Sequence, residues 1–173
     1  KTLERIVKAG KSENIERWCF WTPSLLSLFK KTTELTRVII IGGNGTGKTA
    51  ILDKFATEIA KNPGENVIMA IHQGFHPKAR PLLQIELQAK YERAGLKIKV
   101  RTFHNIDEFI NFILQTPLQN NNLTLCIDEI DMEDIRPDHL YFLSENVKNL
   151  WMVIRETSNR EDPEEYLKET FPG

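Results

Sequence analysis

Short apolar runs alternate with longer stretches of helical periodicity along most of this chain. The runs 37–41 (RVIII), 66–71 (NVIMAI), 97–102 (KIKVRT), 123–127 (LTLCI) and 150–154 (LWMVI) are rich in β-branched residues and bounded by polar residues or glycine. Such runs predict strands buried on both faces, as in a parallel sheet. Between them the apolar spacing becomes helical. Ile51, Leu52, Phe55 and Ile59 share a face of a helix that should end near Lys61, because Pro63-Gly64 follows. Leu83, Leu87 and Tyr91 share another face over 81–94, stopping at Gly95. Ile106, Phe109, Ile110 and Ile113 mark a third helix, with Asn105 and Glu108 as a capping pair at its start. Further helices are expected over 137–146 and after Pro163. This alternation implies right-handed crossovers and a three-layer α/β fold with a mainly parallel five-stranded sheet.

Residues 1–35 do not follow the scheme. They carry Trp18, Phe20, Trp21, Leu25, Leu26, Leu28 and Phe29, and are expected to form a helical lead-in to a domain over 36–173. An apolar patch that meets a neighbouring domain is the alternative. The stretch 115–122, rich in Asn and Gln, is expected to be a polar loop.

The chain has 173 residues, enough for one domain with a full core. Its 23 basic and 24 acidic residues leave a net charge of −1, so the chain as a whole carries no electrostatic footprint of a nucleic-acid binder. Cys126 lies inside an apolar run and Cys19 is far from it, which suits a small buried thiol in a core strand and a reducing compartment. No stretch is long and apolar enough to span a membrane, and no signal-peptide pattern opens the chain. An intracellular protein, cytoplasmic or nuclear, is the expectation. The first residue is Lys1 rather than Met, so the sequence is expected to be part of a longer protein with further domains.

The strongest chemical signal is Gly42-Gly43-Asn44-Gly45-Thr46-Gly47-Lys48-Thr49, followed by Ala50. It matches G-x-x-x-x-G-K-[ST] between an apolar run and a helical one. Glycines let consecutive backbone N–H groups curl toward phosphate oxygens, and the helix N-terminus adds partial positive charge. Lys48 is expected to reach the β- and γ-phosphates, and Thr49 to offer its hydroxyl to Mg²⁺. No guanine-reading Asn/Thr-Lys-x-Asp segment is present, which favours ATP over GTP. A second element is then required to hold the metal and orient water. Leu123-Thr124-Leu125-Cys126-Ile127-Asp128-Glu129 supplies it, with Asp128 as metal ligand and Glu129 as catalytic base. The plainer alternative is a solvated acidic loop, since Asp131, Glu133 and Asp134 follow.

These two motifs resemble those of P-loop NTPases of the Asp-Glu, catalytic-glutamate division. From Arg37 to Arg155 the chain is similar to the first motor domain of superfamily 1 helicases. Ile71-His72-Gln73-Gly74, Thr102-Phe103-His104 and Asp128-Glu129-Ile130-Asp131 stand where those enzymes carry related segments. The resemblance implies a RecA-like fold, with the strand ending at Arg155 between the P-loop strand and the Asp128 strand. It also implies Mg²⁺-dependent ATP binding and slow hydrolysis. Two departures are evident: the glutamine of the acidic motif is missing, and Arg155-Glu156-Thr157-Ser158 replaces a Gly-Asp-x-x-Gln segment. In helicases those glutamines couple ATP to a second motor domain. Signalling ATPases of the STAND type often place an arginine where Arg155 stands, so a nucleotide-switched scaffold is the rival reading. A non-hydrolysing ATP-binding module is the third.

Arg155 is expected either to sense the γ-phosphate or to pair with Glu156 or Glu161 at the surface. His72, His76, His104 and His139 lack metal-ligand spacing and are read as non-catalytic. Lys90, Arg93, Lys97, Lys99 and Arg101 form a local basic cluster, either a solvated surface or a contact for nucleic acid.

Overall fold

The computed structural model describes residues 6–8, 18–20, 27, 35–42, 46–74, 80–115 and 122–155. The chain forms two compact units, Lys1–Leu35 and Thr36–Gly173.

In the first unit, β1 (Ile6–Lys8) and β2 (Trp18–Phe20) pair antiparallel, Val7 opposite Cys19. At these positions the segment is extended rather than helical, a correction to the helical lead-in expected from its apolar content. The β-branched Ile6-Val7 and the aromatic Trp18 and Phe20 are residue types that fit a pleated pair.

The second unit follows the alternation closely. Its elements are β3 (Arg37–Gly42), α1 (Lys48–Ala60), β4 (Asn66–His72), α2 (Arg80–Arg93), β5 (Ile98–Phe103), α3 (Ile106–Gln115), β6 (Leu123–Asp131), a single 3₁₀ turn (Met132–Asp134), α4 (Pro137–Asn146) and β7 (Asn149–Arg155). The five strands form one sheet in the order β3-β7-β6-β4-β5, and every neighbouring pair is parallel. This is the architecture of a RecA-like P-loop domain. The strand ending at Arg155 lies between the P-loop strand and the Asp128 strand, as the resemblance implied. The helix expected after Pro163 lies outside the described residues, as does His76, and so does most of the 115–122 stretch, of which α3 takes Gln115.

Alternate strand residues serve two cores. Ile68, Leu125, Ile127, Leu150 and Met152 pack with Ile106, Phe109 and Ile113 of α3 and with Leu140 and Leu143 of α4. Residues of opposite parity face α1, where Trp151 stacks on Phe55. Helix α3 starts where expected, but Asn105 Oδ1 accepts from the Asp107 N–H at 2.7 Å, one residue earlier than a capping box with Glu108 needs.

Two devices finish the sheet. At the strand N-termini, Arg37 donates to the carbonyls of Lys148 (2.6 Å), Val147 (2.8 Å) and Ser144, gathering the orphan C-terminal carbonyls of α4. At the open edge, Gln84 Nε2 donates to Val100 O (3.2 Å) while Gln88 Oε1 accepts from Val100 N (2.9 Å). Two glutamines one turn apart on α2 thus satisfy the outward backbone of β5, which would otherwise be a template for another strand.

One strand departs from expectation in a way that matters for the site. The sequence places Asp128-Glu129 just beyond the fourth strand, but β6 continues to Asp131. Ile127 is opposite Met152 and Ile130 opposite Ile154, so Asp128 and Glu129 together face Val153 alone. This is a β-bulge. It lets the strand resume pairing after the acidic residues instead of ending at them.

Candidate nucleotide site

Parallel sheets gather their ligand-binding residues at the carboxyl ends of the strands. Here β3, β7 and β6 are neighbours, so Gly42, Arg155 and Asp128 come to one edge. Gly42 ends β3, and Gly43, Asn44 and Gly45 lie outside the described residues. Gly47 is the N-cap of α1, with φ 88°, and its carbonyl accepts from Ile51 N at 3.1 Å. Only glycine takes this left-handed conformation without a steric penalty. Thr46 precedes it, and Lys48, Thr49 and Ala50 form the first turn of α1. Lys48 Nζ lies 3.4 Å from Thr46 Oγ1.

Across the crevice, Thr49 Oγ1 donates to Asp128 Oδ2 at 2.9 Å. These residues are 79 positions apart, and the fold brings them into contact. Asp128 is only 3% exposed. A buried carboxylate beside a hydroxyl at a helix N-terminus is a hard-oxygen donor pair suited to Mg²⁺. Their separation also suits two adjacent ligands of an octahedral ion with bonds of about 2.1 Å. The donor set therefore fits the ion implied by the sequence.

Glu129 has φ 60°, the one positive φ outside glycine among the described residues. A left-handed glutamate costs about 1–2 kcal/mol. Such strain persists where the surroundings over-determine it, and it clusters at functional sites. Glu129 is part-exposed beside buried Asp128, so the bulge separates the environments of the two carboxylates.

Helix α1 is anchored from behind through Asp53, a residue with no sequence motif to mark it. Tyr91 is fully buried and donates to Asp53 Oδ1 at 2.7 Å, while Lys90 pairs with Asp53 Oδ2 at 2.5 Å. Burial first, and then the Asp53 carboxylate, push the Tyr91 phenol far above its ordinary range, so it stays a donor. Asp53 lies one helical turn beyond Thr49. The only sequence signal was Tyr91 on the apolar face of α2, since nothing local announces its partner.

Arg155 is part-buried, and the partners expected for it, Glu156 and Glu161, lie outside the described residues. Its Nε donates to Asp131 Oδ1 (2.6 Å) and its Nη2 to Asp131 Oδ2 (2.7 Å). The two segments that depart from the helicase pattern are thus bonded to each other. Asp131 is thus an ion-pair partner on β6 rather than part of a solvated acidic loop. His72 Nε2 lies 3.1 Å from His104 O and 3.6 Å from Asp134 Oδ2. His139 Nε2 meets Asp107 Oδ1 at 2.9 Å, bridging α4 to α3. The basic cluster is divided: Lys90 is engaged by Asp53, and Arg101 lies over the Phe112 ring, 5.2 Å from its centroid. Arg93 donates to Ala89 O, while Lys97 and Lys99 are exposed.

No helix among the described residues is long and apolar enough to cross a membrane. No curated protein matches the chain. A family model described as the AAA domain matches residues 27–158, more than half of the sequence. Because that match spans all five strands of the sheet and both motifs at its edge, the chain belongs to the AAA-domain family, a group of P-loop NTPases.

Proposed function

We propose that this domain binds ATP with Mg²⁺ and hydrolyses it slowly. The observation that carries the reading is the 2.9 Å contact between Thr49 Oγ1 and Asp128 Oδ2. It joins the end of the phosphate loop to a buried carboxylate, as a site for a phosphate-bound cation requires. In this reading Gly42, Gly43, Asn44, Gly45, Thr46, Gly47 and Ala50 wrap the phosphates with backbone N–H groups. Lys48 neutralises the β- and γ-oxygens, and Thr49 and Asp128 hold the metal. Bound Mg²⁺ supplies charge neutralisation. Glu129 orients and deprotonates the attacking water.

Slow turnover follows from the arginine. A mobile arginine from a second domain or protein contributes about 10³–10⁵ in phosphoryl-transfer rate. Arg155 stands on the phosphate's own side of the cleft and is held by Asp131. The segments that carry this pair lack the coupling glutamines of the resembling helicases. This favours a nucleotide-switched scaffold over a translocating motor. A nucleic-acid role through Lys97, Lys99 and Arg101 is the second reading, supported by the alternation of Lys99 and Arg101 along the edge strand β5, with Lys97 just before it.

Calorimetric titration of MgATP into the full chain tests the proposal. Lys48→Ala should weaken affinity by about tenfold or more, since a charge-assisted phosphate contact is lost. Unchanged affinity would remove the site assignment.

A further inference from the structure

Arg155 sits between the two elements of the nucleotide site. In register it is the neighbour of Gly42, the first residue of the phosphate loop, and of Asp131 on the other side. The second neighbour is not what a regular ladder would give. Before the bulge the offset between β6 and β7 sets Ile127 against Met152, which would bring Ile130 to Arg155. The extra residue at Asp128-Glu129 advances the strand by one, and Asp131 meets Arg155 instead. The distortion that presents the acidic pair also supplies the arginine with its counter-ion.

The pair is unequal in exposure. The Asp131 side chain is 8% exposed and that of Arg155 26%. A buried carboxylate stripped of its partner is far more costly than a broken surface pair. Arg155 therefore does not leave Asp131 to meet a ligand. Two of the five N–H donors of a guanidinium are spent on Asp131, and Nη1 takes no part in the pair. A fork held by its Nε–Nη2 edge has its plane fixed, which pre-organises the remaining donors. Gly74 closes the remaining side: a Cβ there would lie 3.9 Å from Arg155 Nη2 and 3.8 Å from Asp131 Oδ2, and its φ of +39° disfavours any side chain.

We propose that Asp131 is a positioning residue, which fixes the Arg155 guanidinium beside the phosphate loop and thereby sets the preference for a nucleoside triphosphate over a diphosphate. This rests on the ATP-binding reading above and deepens it. Asp131 touches no nucleotide and acts only through Arg155.

The test compares MgATP and MgADP affinities of the full chain by calorimetry. The variants are Asp131→Asn, Arg155→Lys, Arg155→Gln and the double variant Asp131→Asn/Arg155→Gln. Loss of one positioned charge-assisted contact corresponds to about tenfold in affinity. Asp131→Asn should lower MgATP affinity by that factor and leave MgADP affinity within about twofold. Arg155→Lys keeps the charge but not the fork, and should give the same split. The double variant should be no worse than Arg155→Gln alone, because Asp131 has nothing left to position. Thermal melts accompany each titration, and if Asp131→Asn is unfolded the Arg155→Lys variant carries the comparison. Equal losses for ATP and ADP, or additive losses in the double variant, overturn the proposal and leave a purely structural pair. A parent chain that binds neither nucleotide removes the ATP-binding reading itself.

Discussion

The indole of Trp151 lies flat against the ring of Phe55, with centroids 3.7 Å apart and planes 10° from parallel. Trp151 is in the middle of β7 and Phe55 in the middle of α1, so the stack ties the phosphate-loop helix to the strand that ends in Arg155. Both are buried, Trp151 completely. Trp151→Ala should therefore destabilise by about 3–5 kcal/mol, the range for large aromatic truncations in a core. Trp151→Phe keeps the stack and should cost clearly less. Urea denaturation followed by circular dichroism measures both, and equal costs would show that the retained ring stack contributes nothing.

Glu129, the base in the proposed reaction, has a strained backbone, and the two features can be separated. Glu129→Gln keeps the left-handed residue and removes the base. It should bind ATP as the parent does and release phosphate at least about a hundredfold more slowly, the usual contribution of a general base. Glu129→Gly removes base and strain together. It should be equally inactive yet up to about 1 kcal/mol more stable than the parent. A less stable Gly variant would mean that the φ of 60° is not a cost to the fold.

Gln84 and Gln88 hold the backbone of Val100 at the open edge of the sheet. Removing both leaves a part-buried N–H and carbonyl without these partners. Gln84→Ala/Gln88→Ala should lose about 2 kcal/mol, within the range for unmet part-buried groups. It should also self-associate through β5. Light scattering against protein concentration reads the association. A monodisperse double variant would show that the edge is guarded by other means.

Cys126 is fully buried in β6, and burial, reinforced by the Asp53 and Asp128 carboxylates, raises its thiol above the ordinary range. The sign follows: a raised pKa leaves less thiolate at any given pH, and thiolate is the reactive form. At pH 8 Cys126 should resist alkylation in the native protein and react fully in urea. Mass spectrometry of the peptide containing Cys126 checks this, and rapid native labelling would contradict the core position of β6.

The sequence by itself determined the architecture of the second unit and its membership of the P-loop NTPases. Buried parallel strands read as unbroken apolar runs and amphipathic helices as 3.6-residue spacing, so both signals are local. The glycine–lysine–threonine motif is local too, because a loop of this type is built from consecutive backbone groups. Local patterning misled at Ile6–Lys8 and Trp18–Phe20, where apolar content without clear periodicity does not distinguish a short strand from a helix. Only the tertiary structure decided the contacts across the sheet. Thr49 meets Asp128, Tyr91 meets Asp53 and Arg155 meets Asp131 over separations of 79, 38 and 24 residues. Partner choice at such distances depends on strand order and register. The register of Arg155 turns on one extra residue at the Asp128-Glu129 bulge, which hydropathy does not encode because either register buries the same apolar residues.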